Sequence, residues 1–223
     1  MVVLGTKIYV EGDARERALD SLRSIVADRI GELAVEYTVG LRHDGFPSVT
    51  VEGADAVAAR NLLAEEWGTI RPDLDADAIH VGTLESWDAD GFTLDAGQPV
   101  ELPTEGLGLG PGDPAQIRDR FGLVQHLPLR FTFGDDEGLR LTDAQRDRLY
   151  DWTRGAGRVN VNSATRSEVR ATVNRAGHAQ DIVSVERLGL LEQSIVCAEG
   201  TDPPGLLADI GPHLPSELKC VIP

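Results

Sequence analysis

An α+β fold in three units is predicted by three observations on the sequence. Residues 1–73 carry a βαββα order of patterned segments, residues 78–134 are rich in strand-and-turn patterns, and residues 140–223 read as a helix followed by a complete βαββαβ order. The 223 residues are enough for two to three small domains. An apolar fraction of 41% is too high for a disordered chain. No run approaches the roughly 20 apolar residues that a spanning helix needs. The first residues, Met1-Val2-Val3-Leu4-Gly5-Thr6-Lys7, lack the charged head and apolar core of a signal peptide. A soluble, cytoplasmic protein without a membrane partner is expected.

In the first unit, Lys7-Ile8-Tyr9-Val10 patterns as a strand and Asp13 as the N-cap of the following helix. Ala18, Leu22, Ile25, Val26 and Ile30 recur at helical spacing and form its apolar stripe. Val35–Val39 and Val49–Val51 alternate as strands around the turn Gly45-Phe46-Pro47. A second helix is predicted over 55–67, with Val57, Leu62 and Leu63 inward, and a closing strand near Ile70. This order is ferredoxin-like.

The middle unit follows an acidic connector, Leu74-Asp75-Ala76-Asp77. A strand from His80 to Trp87, an Asp-Ala-Asp-Gly turn and an alternating segment from Phe92 make a hairpin. Pro128–Phe133 is a later strand. Between them, Leu102 to Gln125 is long and Gly-rich, which leaves the strand order open.

In the third unit Thr142 or Asp143 caps a helix through Leu149 and Trp152. Strands are predicted at Arg158–Val161, Ile182–Val185, Ser194–Cys197 and Leu218–Ile222, with helices over Ser163–Arg175 and Pro204–Ile210. This is a second ferredoxin-like order. The two ends echo one another at a shift of 151 residues, with Ile8, Val10 and Arg15 against Val159, Val161 and Arg166.

Two resemblances bear on identity. Gly82 in the first strand, Gly91-Phe92 entering the second and Asp95-Ala96-Gly97 leaving it resemble the opening of an OB fold of the S-one type, found in ribosomal and RNA-processing proteins. The architecture implied is two ferredoxin-like βαββαβ units flanking a small OB-like β-barrel. Arg120-Phe121-Gly122-Leu123 and Gly200-Thr201-Asp202-Pro203-Pro204-Gly205 resemble the signatures of a conserved archaeal family of unknown function, over the whole chain. That resemblance transfers no catalytic residue.

Charge is uneven. The net charge is −16, and Lys7 and Lys219 are the only lysines against 19 arginines. An acidic, lysine-poor chain of this kind is expected in a salt-loving archaeon, since at about 1 M salt the screening length shrinks to roughly 3 Å and self-repulsion fades. Residues 1–114 carry 8 basic and 22 acidic side chains, whereas 154–187 carry six arginines against three acids, and 115–133 are also locally basic. These two islands are candidate surfaces for a polyanion.

Other chemistry finds little support. His43, His80, His126, His178 and His213 form no HxH or HxxxH pair, so no metal is expected. Cys197 and Cys220 form no CxxC, and each sits mid-strand where thiols are inert. The Gly106–Gly112 run lacks the Gly-Lys-Ser/Thr of a phosphate loop and reads as a loop before a short helix capped by Asp113. No cofactor is expected, and a non-catalytic protein is favoured over an enzyme.

The constellation best suited to function is Trp87, Phe92 and Phe121 with Arg118, Arg120, His126 and Arg130, extended by Arg158, Arg166 and Arg170 of the second island. OB folds hold single strands by stacking bases on aromatic rings, each worth about 1–3 kcal/mol, while arginines track phosphates. Phe131 and Phe133 share one side of their strand, which with Phe92 also makes them core candidates. The expected partner is RNA, a ribonucleoprotein or the transcription machinery. Two alternatives stand beside it. Thr201, Asp202 and Gly205 resemble the Asp-x-Pro-Gly turn of ACT-type regulatory domains, which bind small amino acids, although Asp202 capping a helix explains the same residues. A protein-interaction scaffold is the other.

Overall fold

The chain was studied as a computed structural model that describes residues 1–76, 78–134 and 138–223; the readings placed on Asp77 and on the Phe133 side chain lie outside the described residues. The fold is mixed α+β, with three antiparallel sheets.

In the N-terminal unit β1 (Val2–Val3), α1 (Gly12–Ile30), β2 (Val35–Leu41), β3 (Pro47–Gly53) and α2 (Ala56–Trp67) form a sheet of order β1-β3-β2 packed against two helices. The stripe Ala18, Leu22, Val26 and Ile30 is buried as its spacing predicts. Four expectations are corrected. The first strand is Val2–Val3, and Lys7–Val10 leaves the sheet because the Lys7 and Tyr9 side chains are drawn to the other two units. Asp13 lies inside the first helical turn, since α1 begins at Gly12 after Glu11. On α2 the inward set is Ala59, Leu63 and Trp67, four residues apart, and Val57 is exposed. The closing strand near Ile70 shrinks to one bridge, Leu4 to Thr69.

The middle unit contains β4 (His80–Trp87), β5 (Gly91–Asp95), β6 (Pro99–Pro103), α3 (Thr104–Leu107), α4 (Pro114–Arg120), β7 (Pro128–Gly134), β8 (Gly138–Leu141) and α5 (Asp143–Trp152). Its sheet, of order β6-β5-β4-β7-β8, curls into a half-barrel whose edge strands approach each other across α3. Gly91, paired with Pro103, permits the close approach of β5 and β6, since a Cβ there would lie 2.1 Å from the Leu102 carbonyl oxygen. The long stretch after Leu102 follows the end of β6, holds α3 and α4, and buries Leu107, Leu109, Ile117, Phe121, Leu123 and Val124. Asp113 caps α4 in a capping box with Gln116. Helix α5, assigned from sequence to the third unit, sends Leu149 and Trp152 into this middle core.

The C-terminal unit runs β9 (Arg158–Val161), α6 (Arg166–Arg175), β10 (Ile182–Arg187), β11 (Gln193–Cys197), α7 (Pro203–Ile210) and β12 (Leu218–Val221), in the sheet order β10-β11-β9-β12. Helix α6 starts at Arg166 rather than Ser163, because Thr165 and Glu168 form a capping box and Ser163 sits at φ +58°. The 151-residue echo is not a structural register: Ile8 is outside any strand, whereas Val159 is mid-strand. Among the described residues no helix is long and apolar enough to cross a membrane.

Candidate functional site: an arginine-lined cleft where three units meet

The end of α2, strand β7 with helix α5, and the β10–β11 turn converge on a small, largely enclosed cavity of about 60 Å³. Glu66 and Trp67 come from the N-terminal unit, Arg130, Gln145 and Arg148 from the middle unit, and Leu188 and Gly189 from the C-terminal unit. Each side chain is placed by its element. Trp67 ends the buried face of α2, and Arg130 faces α5, where its backbone N–H donates to Gln145 Oε1 at 3.2 Å. Arg148 and Trp152 stand four residues apart on α5, so the guanidinium lies over the indole at 5.7 Å.

Two more arginines flank the cavity. Arg158 shares the Trp152 ring at 5.2 Å and pairs with Glu186 at 3.2 Å; Arg187 lies over Trp67 at 5.7 Å and 3.4 Å from Glu66. Glu66 is also 3.4 Å from Arg29, so its charge is already neutralised. Among the described residues the Arg130 guanidinium donates to the Glu65 carbonyl oxygen, at 3.2 Å, and Arg148 forms no ion pair. Burial pushes the Arg148 pKa below the ordinary arginine value; Arg158 and Arg130 push the same way, against Glu186. Arg187 is lowered by burial, with Glu66 opposing and Arg166 adding to it. Trp67 is 6% exposed, and its Nε1–H has no partner among the described residues.

From Arg187 the basic surface runs into a groove of about 570 Å³ between α1 and α6, lined by Arg17, Arg166 and Arg170 together with Asp20, Asp28 and Glu168. Arg166 donates to the Val185 carbonyl oxygen at 2.6 Å, Arg17 pairs with Glu168, and Arg170 is exposed.

On the other side of the β10–β11 turn lies a second polar constellation. The Tyr9 hydroxyl donates to Glu192 Oε1 at 2.7 Å and accepts from the Ser163 N–H at 2.9 Å. The Tyr9 ring stacks on His126 with centroids 3.7 Å apart, and His126 Nδ1 is 3.2 Å from Glu85 Oε1. Lys7 donates to Glu85 at 3.1 Å and Asp95 at 2.7 Å. His126 and Ser163 are the two described non-glycine residues with positive φ, and both touch Tyr9. Burial drives Glu192 up to about 8, against the pull of its hydrogen bond from Tyr9. Burial would also raise Glu85, but hydrogen bonds from His126 and Thr83 and the Lys7 charge overcome it and hold that carboxyl at about 2. Tyr9 itself is raised, chiefly by burial.

The expected stacking platform is dismantled by burial. Phe92 and Phe121 are core residues, 0% and 1% exposed, and Phe131 is buried with them, so none offers a ring to a base. Trp87 is covered by the Arg118 guanidinium at 3.6 Å, which in turn pairs with Glu217 of the C-terminal unit. Arg120 ties down the Gly-rich loop through the carbonyl oxygens of Leu109 and Pro111. His126 is spent on Tyr9. Of the residues anticipated from sequence, Arg130, Arg158, Arg166 and Arg170 remain on the basic surface. In the ACT-like turn, Thr201 donates to the Asp181 carbonyl oxygen and Asp202 accepts from the Gly205 N–H, so these groups hold the start of α7.

Three family models match in succession: the DUF2110 N-terminal domain over residues 1–73, the DUF2110 central domain over 74–153 and the DUF2110 C-terminal domain over 156–222. The chain belongs to the DUF2110 family. No curated protein and no solved structure matches it. In this DUF2110 chain the cleft therefore lies where all three family domains meet. Sequence reading missed Trp67, Arg148 and Trp152, though the Arg148–Trp152 spacing was a signal. Tyr9 and Glu192 gave none, being 183 residues apart.

Proposed function

We propose that this chain is a non-catalytic RNA-binding protein and that the arginine-lined cleft, rather than an aromatic face of the middle sheet, takes the RNA backbone. The observation that carries this is Arg148: in an acidic chain it stands close to Arg130 and Arg158 and, among the described residues, without an ion pair. Leaving one cation among others without a carboxylate is costly unless an anion joins them, and phosphate is the anion that arginine forks recognise. Trp67 and Trp152 give the guanidinium groups flat surfaces, as single-strand channels do. The middle sheet order, with helices between its third and fourth strands, supports the OB-like reading; the order β10-β11-β9-β12 supports a ferredoxin-like C-terminal unit. A halophilic archaeal source is part of the same reading, since acidic surfaces need screening.

The test is fluorescence anisotropy of the full chain with labelled single-stranded RNA across a salt series. Binding is expected for the wild type, with a shallower salt slope and loss of about tenfold or more for Arg148→Glu and for Arg158→Glu, reversals at different places in the cleft. Wild-type affinity retained by both variants would remove the cleft from the account.

A further inference from the structure

The arginines of the cleft differ in their partners. Arg158 and Arg187 each have a carboxylate. Beside them, the Trp67 indole N–H is buried without an acceptor among the described residues, and Trp67, Arg130 and the exposed Arg148 line one cavity. A buried donor without a partner is costly, so the site suits something that accepts hydrogen bonds. The space is also informative: about 60 Å³ exceeds what one water needs, which is roughly 10–15 Å³ on the same measure, and suits a small tetrahedral oxyanion. Glu66 lines the cavity too, but Arg29 and Arg187 already hold its charge.

We propose that this cavity is a socket for a single phosphate group, held by the Trp67 Nε1–H and the Arg130 and Arg148 guanidinium groups. Three donor groups from two units match the several acceptor oxygens of a phosphate better than the two of a carboxylate. Because the cavity is largely enclosed, a polymer cannot thread through it. The group it takes is a phosphomonoester, either the terminal phosphate of an RNA strand or free phosphate. The choice of RNA as source rests on the function proposed above.

The experiment compares single-stranded RNAs of about 16 nucleotides that carry a 5′-phosphate, a 3′-phosphate or hydroxyls at both ends, with inorganic phosphate as a separate ligand. One phosphorylated end is expected to bind about tenfold tighter than the hydroxyl-ended strand, the scale of one charge-assisted contact, and millimolar inorganic phosphate should erase that preference. In Trp67→Phe and in Arg148→Gln, the second a change at an exposed side chain outside the core, the preference should fall to near unity. Equal binding of all three strands overturns the socket and leaves RNA binding standing. If no strand binds, the RNA reading fails; a rise in wild-type melting temperature with inorganic phosphate, absent in both variants, then leaves the socket as a free-phosphate site, and no rise overturns it as well.

Discussion

The Tyr9 constellation and the arginine cleft lie on either side of the same β10–β11 turn, and both join all three units, yet they differ in how fully their polar groups are used. Around Tyr9 the hydroxyl both donates and accepts, Lys7 has two carboxylates, Glu85 gathers three donors, and among the described residues Glu192 Oε2 stands unpaired. In the cleft the cations crowd one another, and among the described residues Arg148 has no ion pair and the Trp67 N–H no acceptor. A saturated network rigidifies, because every member would cost free energy if exposed alone. An unsaturated one, in which Arg130, Arg148, Arg158 and Arg187 outnumber Glu66 and Glu186, suits the ligand proposed above. The first region therefore accounts for how the units hold together, and the second is where binding is proposed.

Substitutions should separate the two. Tyr9→Ala should cost the most, about 3–5 kcal/mol, since it removes a packed ring and orphans Glu192 and Ser163; Tyr9→Phe should cost about 1–3 kcal/mol. Denaturant unfolding in strong salt measures both. Gly189→Ala comes next, at about 1–3 kcal/mol, because its Cβ would fall 2.0 Å from Glu192 Oε2 and 3.0 Å from Pro128. Arg148→Ala, in contrast, should change stability by no more than about 0.5 kcal/mol while weakening RNA binding; a large stability loss would make the cleft a second structural network.

Proton linkage sharpens the same comparison. Glu192 is raised in the fold from 4.5 to about 8, so the folded chain keeps this proton longer than the unfolded chain does. Its contribution to stability is complete below pH 4.5, declines as pH climbs to about 8, and is flat beyond. Glu85, lowered to about 2, contributes fully above pH 4.5 and loses its share as pH falls toward 2. Melting temperature against pH should fall between pH 4.5 and 8 in the wild type and flatten there in Glu192→Gln. The smallest effect is expected at His178, far from both regions, where hydrogen bonds to Asp181, then to Asp209, outweigh burial and raise the pKa above 6.5. Its share is complete below pH 6.5 and is lost as pH rises through the folded value; an unshifted His178 titration by NMR would refute this.

Much of the secondary structure was legible because its causes are local. The α1 stripe, the Asp-Ala-Asp turn before Gly91, the Asp113 and Thr142 caps and the strands expected from 158, 182 and 194 all follow from neighbours a few residues apart. Lys7–Val10 was misread because its alternation is that of a strand, while its side chains answer to partners 78 to 183 residues away. The aromatic platform failed for a related reason: local pattern marks Phe92 and Phe121 as special but cannot say that the helices after Leu102 fold over them. The arginine islands were visible as charge. That they meet two tryptophans at one cleft depends on how three units dock, which no local pattern encodes.

The 183-residue span of the Tyr9–Glu192 bond has a consequence for the birth of the protein. Glu192 is synthesised 183 residues after Tyr9, so at typical synthesis rates the gap is roughly 10 to 40 seconds. Through that interval the Tyr9 phenol waits without its carboxylate, whereas the partners of Lys7 follow within 88 residues. Closing so long a loop is entropically slow, and the bond cannot form before the β10–β11 turn has been made. Tyr9 and Glu192 thus fasten the N-terminal unit to that turn late in synthesis.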